Sequence, residues 1–477
     1  MYSNAHLKKT NDKDYMKSKY YTTLAAIGIF ACAAQADISN IYGGLSDTDA
    51  TEIKTDAGNL DVVLNPNQTD PSANAFFKGN GNTIGSLKTS GTPANWNIAS
   101  GKTTIDINKA DSGEVDAFVN TGSMIFGNGT ALEIVNSAGN SAIANVDLGT
   151  LSLESSTSQY HGLSFKTNAN VTGTSFSATS NSYATPAISV SNNSTVDYRV
   201  SENSFINKPF ISVEQGSTLN VYGKFNTESQ GIRFKVGGTF NYNSSFIAIG
   251  GANITGTFTA QQIEFRATNS TLSGNGVINA TGPIYVARNL TISDNATVNL
   301  KKETAGVQSK IILNSNGYLT ISAKNAISYE GGLADIRVSG TRNAATLIIS
   351  ADNKFNKLIF NTLSYNEYLN LTVNNGATLF FNAIEIEART SNTATLTINK
   401  FTEFSIFFKD ISGWDEIYSV ALSDIDGNKY TKDDLKWIAG KYDGIDGYWL
   451  STVPEPATYA AVFGTLALAL AIYRRRK

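Results

Sequence analysis

Residues able to carry acid–base, nucleophilic or metal chemistry are few in this chain of 477 residues, which holds two His and one Cys. His161, in Gln159-Tyr160-His161-Gly162, has no visible partner for proton transfer and reads as a surface-loop residue. No Gly-x-Ser-x-Gly elbow occurs, so Ser-His-Asp and Cys-His catalysis lack their parts. A Cys/His zinc cluster and a disulfide scaffold are excluded on the same counts. The carboxylates Asp106, Asp111, Glu114 and Asp116 crowd one short stretch. Two of them would serve as acid and base on a glycosidic bond if the fold held them at a suitable separation. The plainer reading is a solvated loop or strand face. In Ile384-Glu385-Ile386-Glu387-Ala388-Arg389 the alternation puts Glu385, Glu387 and Arg389 on one strand face. That is an outward charged ladder, or a cation or sugar contact. Asp424-Ile425-Asp426-Gly427-Asn428 invites a calcium reading, but Gly427 stands fourth rather than sixth and Leu435 occupies the twelfth position. Asp-Gly reads better as a hairpin turn. No catalytic, cofactor-binding or metal-binding residue is assigned on this basis, and no cofactor is expected.

Composition narrows the class of protein. Lys and Arg number 37 and Asp and Glu 40, a net charge of −3 that leaves no basic excess for phosphates, so no nucleic acid is expected. Only 16% of residues are charged, against about 25% in an ordinary soluble domain. The 21 Tyr and 24 Phe mostly serve a core, and an exposed minority would suit stacking on glycans.

The elements that must position any site are short strands. Runs such as Ser217-Thr218-Leu219-Asn220-Val221-Tyr222 and Lys357-Leu358-Ile359-Phe360 are rich in β-branched and aromatic residues and are punctuated by Asn, Gly, Ser and Thr. A weak repeat runs through them: a turn residue, Thr or Tyr, apolar, polar, apolar. Its copies begin at Ser194, Ser217, Gly238 and Gly256, at intervals of 23, 21 and 18 residues, and recur at Ala296, Gly317, Ala345, Ala377 and Ala394. A period near 20 predicts the coils of a parallel β-solenoid, with inward side chains stacked from coil to coil. At ~4.8 Å per coil such a body would be a rod on the order of 90 Å long. Asn and Gly suit the corners because both tolerate positive φ. A series of antiparallel sandwiches is the competing architecture.

Both ends carry targeting patterns. Met16-Lys17-Ser18-Lys19 is a basic n-region, Leu24 to Ala33 an apolar h-region, and Ala34-Gln35-Ala36 a small-x-small cleavage site before Asp37. Met16 is the expected start, and Sec export is expected to follow. Cys32, after Ile29-Phe30-Ala31, offers a competing acylation site, which the bulky Phe30 fits poorly. At the other end, Val453-Pro454-Glu455-Pro456 precedes an uncharged apolar run from Ala457 to Tyr473, then Arg474-Arg475-Arg476-Lys477. The run is of membrane-spanning length, at its short end. The four cations hold their end in the cytoplasm and leave the body outside.

This tail resembles the PEP-CTERM sorting signal of Gram-negative bacteria. The resemblance covers about residues 452–477 and rests on Pro454-Glu455-Pro456, the apolar segment and the arginine cluster. It implies recognition by exosortase, a membrane-embedded cysteine protease, with the precursor anchored in the inner membrane. It also implies an organism that makes an exopolysaccharide or biofilm matrix. The body more loosely resembles the passenger regions of autotransporter-type surface proteins, although no translocator barrel is recognisable.

The organisation expected is therefore an all-β chain: a signal peptide over 1–36, a β-rich or solenoid segment over 37–190, solenoid repeats over 191–402, a C-terminal cap over 403–451 and the sorting signal over 452–477. Within the cap, Thr431 is expected to N-cap a short helix ending at Gly440. The function expected is that of an exported structural or adhesive protein at the cell surface or in the matrix, with extracellular polysaccharide or the cell envelope as partner. The alternative is a polysaccharide lyase or glycoside hydrolase on the same scaffold.

Overall fold

Alternation of apolar and polar residues over four to six positions, closed by a Gly or Asn corner, yields strands with one buried face and one wet face. Thr218–Val221, Thr239–Tyr242, Thr257–Ala260 and Thr297–Leu300 all show it, with Leu219, Phe240, Phe258 and Val298 fully buried. The computed structural model describes residues 38–452 apart from 56–59, 155–161, 181–185, 208, 228–230, 303–309, 331, 341–342, 375 and 388–391. Met16, Cys32, Ala34, Ala36, His161, Arg389, Pro454, Glu455, Pro456, Arg474, Arg475, Arg476 and Lys477 lie outside the described residues.

The described chain is all-β, a parallel β-solenoid of about 14 turns, without an α-helix. Successive coils pair in parallel from Ile38 onward, and the antiparallel ladders are confined to residues 407–451. A row of antiparallel sandwiches is thereby set aside. Each regular coil contributes three strands, as in Val277–Ala280, Ile284–Val286 and Asn289–Ile292, so three lanes of stacked strands run along the rod. The interior is one continuous apolar core. Its side chains stack in columns, for example Leu132, Leu163, Ile188 and Ile211 in the third lane. Each such Leu or Ile removed from water contributes about 1.5–3 kcal/mol.

The first four copies of the sequence repeat stack in register, with Thr195, Thr218, Thr239 and Thr257 opposite one another in the first lane. The later copies do not all continue that column. Leu319 and Leu347 belong to the third lane, whereas Phe381 stacks between Phe355 and Phe408 in another. The pattern is the local grammar of any strand in the rod and does not mark one lane. Coil length ranges from 16 residues between Ile247 and Ile263 to 31 between Leu87 and Phe118, because corners absorb insertions. Corners take the conformations that the composition promised: Asn192, Asn193, Asp294 and Asn316 all have positive φ. Gly216 (φ +79°) stands at the equivalent corner of its coil.

Near the C-terminal end the pattern changes. Lys436–Tyr442 and Ile445–Ser451 form an antiparallel hairpin whose second strand pairs with Ile406–Phe408. Phe380 and Phe407, on successive coils, are covered by Tyr442 and Trp449, with ring centroids 4.9 to 5.9 Å apart. The helix expected from Thr431 to Gly440 is corrected to a single 3₁₀ turn, Lys432–Asp434. The Asp434 carboxylate accepts bonds from the Thr431 N–H and hydroxyl, both at 2.8 Å. Gly440 sits inside a strand because Lys436–Tyr442 satisfies its main-chain groups across the hairpin instead. No helix among the described residues is long and apolar enough to cross a membrane.

Candidate functional site

The carboxylates singled out in the sequence do not gather around one cleft. Asp106 ends a strand of the third lane and is buried. It accepts bonds from the Ser137 N–H (2.9 Å) and hydroxyl and from the Asn108 amide, which ties one corner to the next coil. Asp111 is exposed on the bend that follows. Glu114 and Asp116 stand on a first-lane strand. Glu114 accepts from Asn145 and Asn170, and Asp116 pairs with Lys88 at 3.4 Å. Ser137, Asn145 and Lys88 reach these carboxylates from the adjacent coil and Asn170 from the coil beyond, while Asn108 bonds within the same corner.

Glu385 and Glu387 are likewise engaged, by partners from coils beneath them. Lys357 pairs with Glu385 at 2.6 Å, and the Arg337 guanidinium donates to Glu387. Beside them, Asp335 is buried and accepts from Asn356 at 2.8 Å. Burial pushes its carboxyl above the usual carboxylate range, against the pull of Asn356, Lys310 and Lys357. Asp424 closes the hairpin turn read from Asp-Gly: Ser419–Asp424 pairs antiparallel with Lys429–Thr431 and Gly427 has φ +87°. The Asp424 carboxylate is filled by donors, first the Asn428 side chain and then the Asn428 and Asp426 N–H groups, which lower its pKa. Among the described residues no group of three His, Cys, Asp or Glu is placed to hold a metal ion.

What the fold does assemble is a repetitive outer face. On the first lane, the polar position of the repeat forms a column: Asn145, Asn170, Asp197, Asn220, Asn241, Thr259, Asn279, Asn299 and Ser328. Its amides bond along the stack. Asn220 donates to Asp197 and Asn241 to Asn220, each at 2.8 Å, and Asn299 donates to Asn279 at 3.1 Å. A parallel column of Thr195, Thr218, Thr239 and Thr257 stands two residues away on the same face. Arg199 stacks at 3.9 Å on the exposed ring of Tyr222 at the edge of this face. Hydroxyls and amides thus recur at the coil spacing, ~4.8 Å. Asn220, Asn241 and Asn299 are each oriented by the coil before them, so these amides are held in place by the protein itself.

The third lane carries a second outward column, in which Ser189, Ser212, Lys235, Asn253, Thr271 and Thr291 lie opposite one another. At its N-terminal end is Glu133, between Lys102 (2.8 Å) and Lys166 (2.7 Å). Burial works to raise the Glu133 carboxyl, and the two ammonium groups outweigh it and hold it below the usual range. At Ile249 to Gly251 the lane shifts register by one residue against Ile232–Val236, leaving a bulge. A groove of about 340 Å³ opens there, lined by Phe210, Arg233, Lys235, Gly251, Asn253 and Asn269 among others. The sequence contains its signal, Ile249-Gly250-Gly251-Ala252, which alternation alone does not interpret. Comparisons with family models, with curated proteins and with solved structures gave no match.

Proposed function

We propose that this chain is an exported structural or adhesive protein that lies along extracellular polysaccharide at the cell surface or in the surrounding matrix. The observation that carries this reading is the ordered face of Thr hydroxyls and Asn amides repeated over successive coils. A linear glycan presents hydroxyls at regular intervals, and a rod that repeats donors and acceptors at fixed spacing meets it many times over. Each contact is weak, and their number supplies the avidity. Tyr222, exposed beside Arg199, adds an aromatic surface of the kind sugar rings stack on.

The terminal patterns give this reading its address. Cleavage after Ala36 follows Sec export, Ala457 to Tyr473 spans the inner membrane, and exosortase recognises Pro454-Glu455-Pro456. Arg474, Arg475, Arg476 and Lys477 hold the tail in the cytoplasm. The hairpin Lys436–Ser451 acts as a C-terminal cap that shields the last coil from pairing with other chains. Replacing Glu455 with Ala is expected to leave an uncleaved precursor in the inner-membrane fraction, seen by fractionation and mass determination of the C-terminus. Normal release of that variant would remove the sorting half of the proposal.

Binding is tested on the full chain in mild detergent by affinity electrophoresis through gels containing neutral and acidic bacterial polysaccharides. Retardation is expected to rise with glycan length and to fall about tenfold in an Asn220→Ala/Asn241→Ala double variant. Shortening of the polysaccharide, abolished by Asp106→Asn or Asp116→Asn, would replace an adhesive role with a lyase or glycosidase.

A further inference from the structure

The two ends of the rod are finished differently. At the C-terminal end, Ile445–Ser451 pairs antiparallel with Ile406–Phe408, and its hairpin partner Lys436–Tyr442 carries Lys436 and Lys441. Lysine on an edge strand discourages further pairing. At the other end, Ile38–Tyr42 pairs in parallel with Asp61–Asn65 on one side, and among the described residues no strand pairs with its other side. We infer that this open edge is a self-association surface: two copies meet head to head through Ile38–Tyr42, antiparallel, about a two-fold axis at Asn40.

Three observations meet at this edge. The first is the main chain. A strand at the edge of a sheet leaves a row of N–H and C=O groups without ladder partners, a template for another chain. The devices that blunt such an edge are missing here. Ile38-Ser39-Asn40-Ile41-Tyr42 contains no Pro and no charged residue, and it pairs with Asp61–Asn65 without a bulge.

The second observation is the side chains. Alternation turns Ile41 inward, where it is buried, and turns Ile38, Asn40 and Tyr42 outward. Ile38 is 56% exposed and Tyr42 45%, and Leu45, at the corner that follows, is 52% exposed. Three large apolar side chains thus stand in water within one short stretch at the end of the rod.

The third observation is self-complementarity. An antiparallel pairing centred on Asn40 sets Ile38 across from the partner's Tyr42, and Asn40 across from the partner's Asn40. Apolar meets apolar twice and no like charges are opposed. Asn65 donates to the Asn40 side-chain oxygen at 3.2 Å, which leaves the Asn40 amide nitrogen to donate across the axis.

The occupant is another N-terminal end. The last coil of a second copy is covered by its hairpin, so head-to-tail growth into a filament is closed off. A two-fold contact uses both open edges and stops at a dimer. In that dimer the two C-terminal ends point away from each other. The contact would then join two anchored surfaces tip to tip, a consequence that rests on the sorting reading above, whereas the dimer itself does not.

The test is the mass of the full chain in mild detergent by light scattering. A dimer is expected. Asn40→Lys sets two ammonium groups face to face and is expected to give monomer, while Tyr418→Lys, at an exposed site near the C-terminal end, should remain dimeric. Register is read by cysteine pairing in a Cys32→Ser background. Opposed Cα atoms of an antiparallel pair are ~4.5–5.5 Å apart, within reach of a disulfide. Asn40→Cys should therefore give a covalent dimer by itself under mild oxidation. Ile38→Cys and Tyr42→Cys should each stay unlinked alone, because identical positions lie about 14 Å apart along the strands, and should link when mixed before oxidation. Circular dichroism must show the β fold intact in every variant. A monomeric full chain, a dimer that survives Asn40→Lys, assemblies larger than a dimer, or Ile38→Cys linking to itself as readily as to Tyr42→Cys would overturn the inference.

Discussion

Phe240→Ala is expected to destabilise the rod by about 3–5 kcal/mol, the usual cost of truncating a buried aromatic. Phe240 is fully buried and lies between Leu219 and Phe258 of the adjacent coils. Its ring is 4.9 Å from that of Phe258 and 5.0 Å from that of Phe234. The three rings fill the interior where the coils are short, 18 residues from Phe240 to Phe258, so neighbouring side chains have little slack with which to close a cavity. In a stacked array each coil is held chiefly by its neighbours. The loss should therefore appear first as local opening around residues 219–258 in hydrogen exchange, and as a lower midpoint in denaturant. Uniform protection along the rod, with no change in midpoint, would contradict this account of the packing.

Asn353→Leu is expected to cost a similar amount, about 3–5 kcal/mol, for a different reason. Asn353 is almost fully buried. Its amide donates to the Ala323 and Ala351 carbonyls, both at 2.9 Å, and its oxygen accepts from the Ala326 N–H at 3.0 Å. Leucine keeps the branching of the side chain, with bulkier methyl groups, and leaves those three main-chain groups without their side-chain partner at a largely buried corner, at about 1–3 kcal/mol each before relaxation. Asn353→Asp separates hydrogen bonding from volume. It keeps the acceptor but sets a carboxylate against two carbonyl oxygens, which raises its pKa in the folded state. Its stability should then be greatest at acid pH and fall as pH rises through that elevated pKa. Denaturant titrations of both variants between pH 4 and 8 check the two expectations. A flat pH profile for Asn353→Asp would show that the corner admits water.

Much of the architecture was legible in the residues because strand alternation and corner chemistry are local. Thr195-Val196-Asp197-Tyr198 and its three successors contain the buried column, the Asn column and the coil spacing within a few residues of one another. The hairpin at Asp424 to Asn428 was legible for the same reason, since Gly427 and the Asp424 carboxylate act within one turn. The helix expected after Thr431 does not form because a capping residue announces only a first turn. Beyond that turn the chain is drawn into the ladder with Ile445–Ser451, a partner strand that the local sequence does not name.

The site chemistry divides along the same line. Glu385 and Glu387 were assigned correctly to an outward face by alternation, yet their partners Lys357 and Arg337 are 28 and 50 residues away and enter only through coil stacking. Asp106 and Asp116 are neighbours in sequence but serve different lanes, because the chain turns a corner between them. By itself, the sequence determined that this chain would form short stacked strands with polar corners, and that it holds only two His and one Cys. Only the tertiary structure decided which coil meets which, and so which polar side chains share an outward column. The physical reason is that corners absorb insertions at small entropic cost. Coil length is then free to vary, and the register between distant residues is set by packing of the whole stack and not by any local pattern.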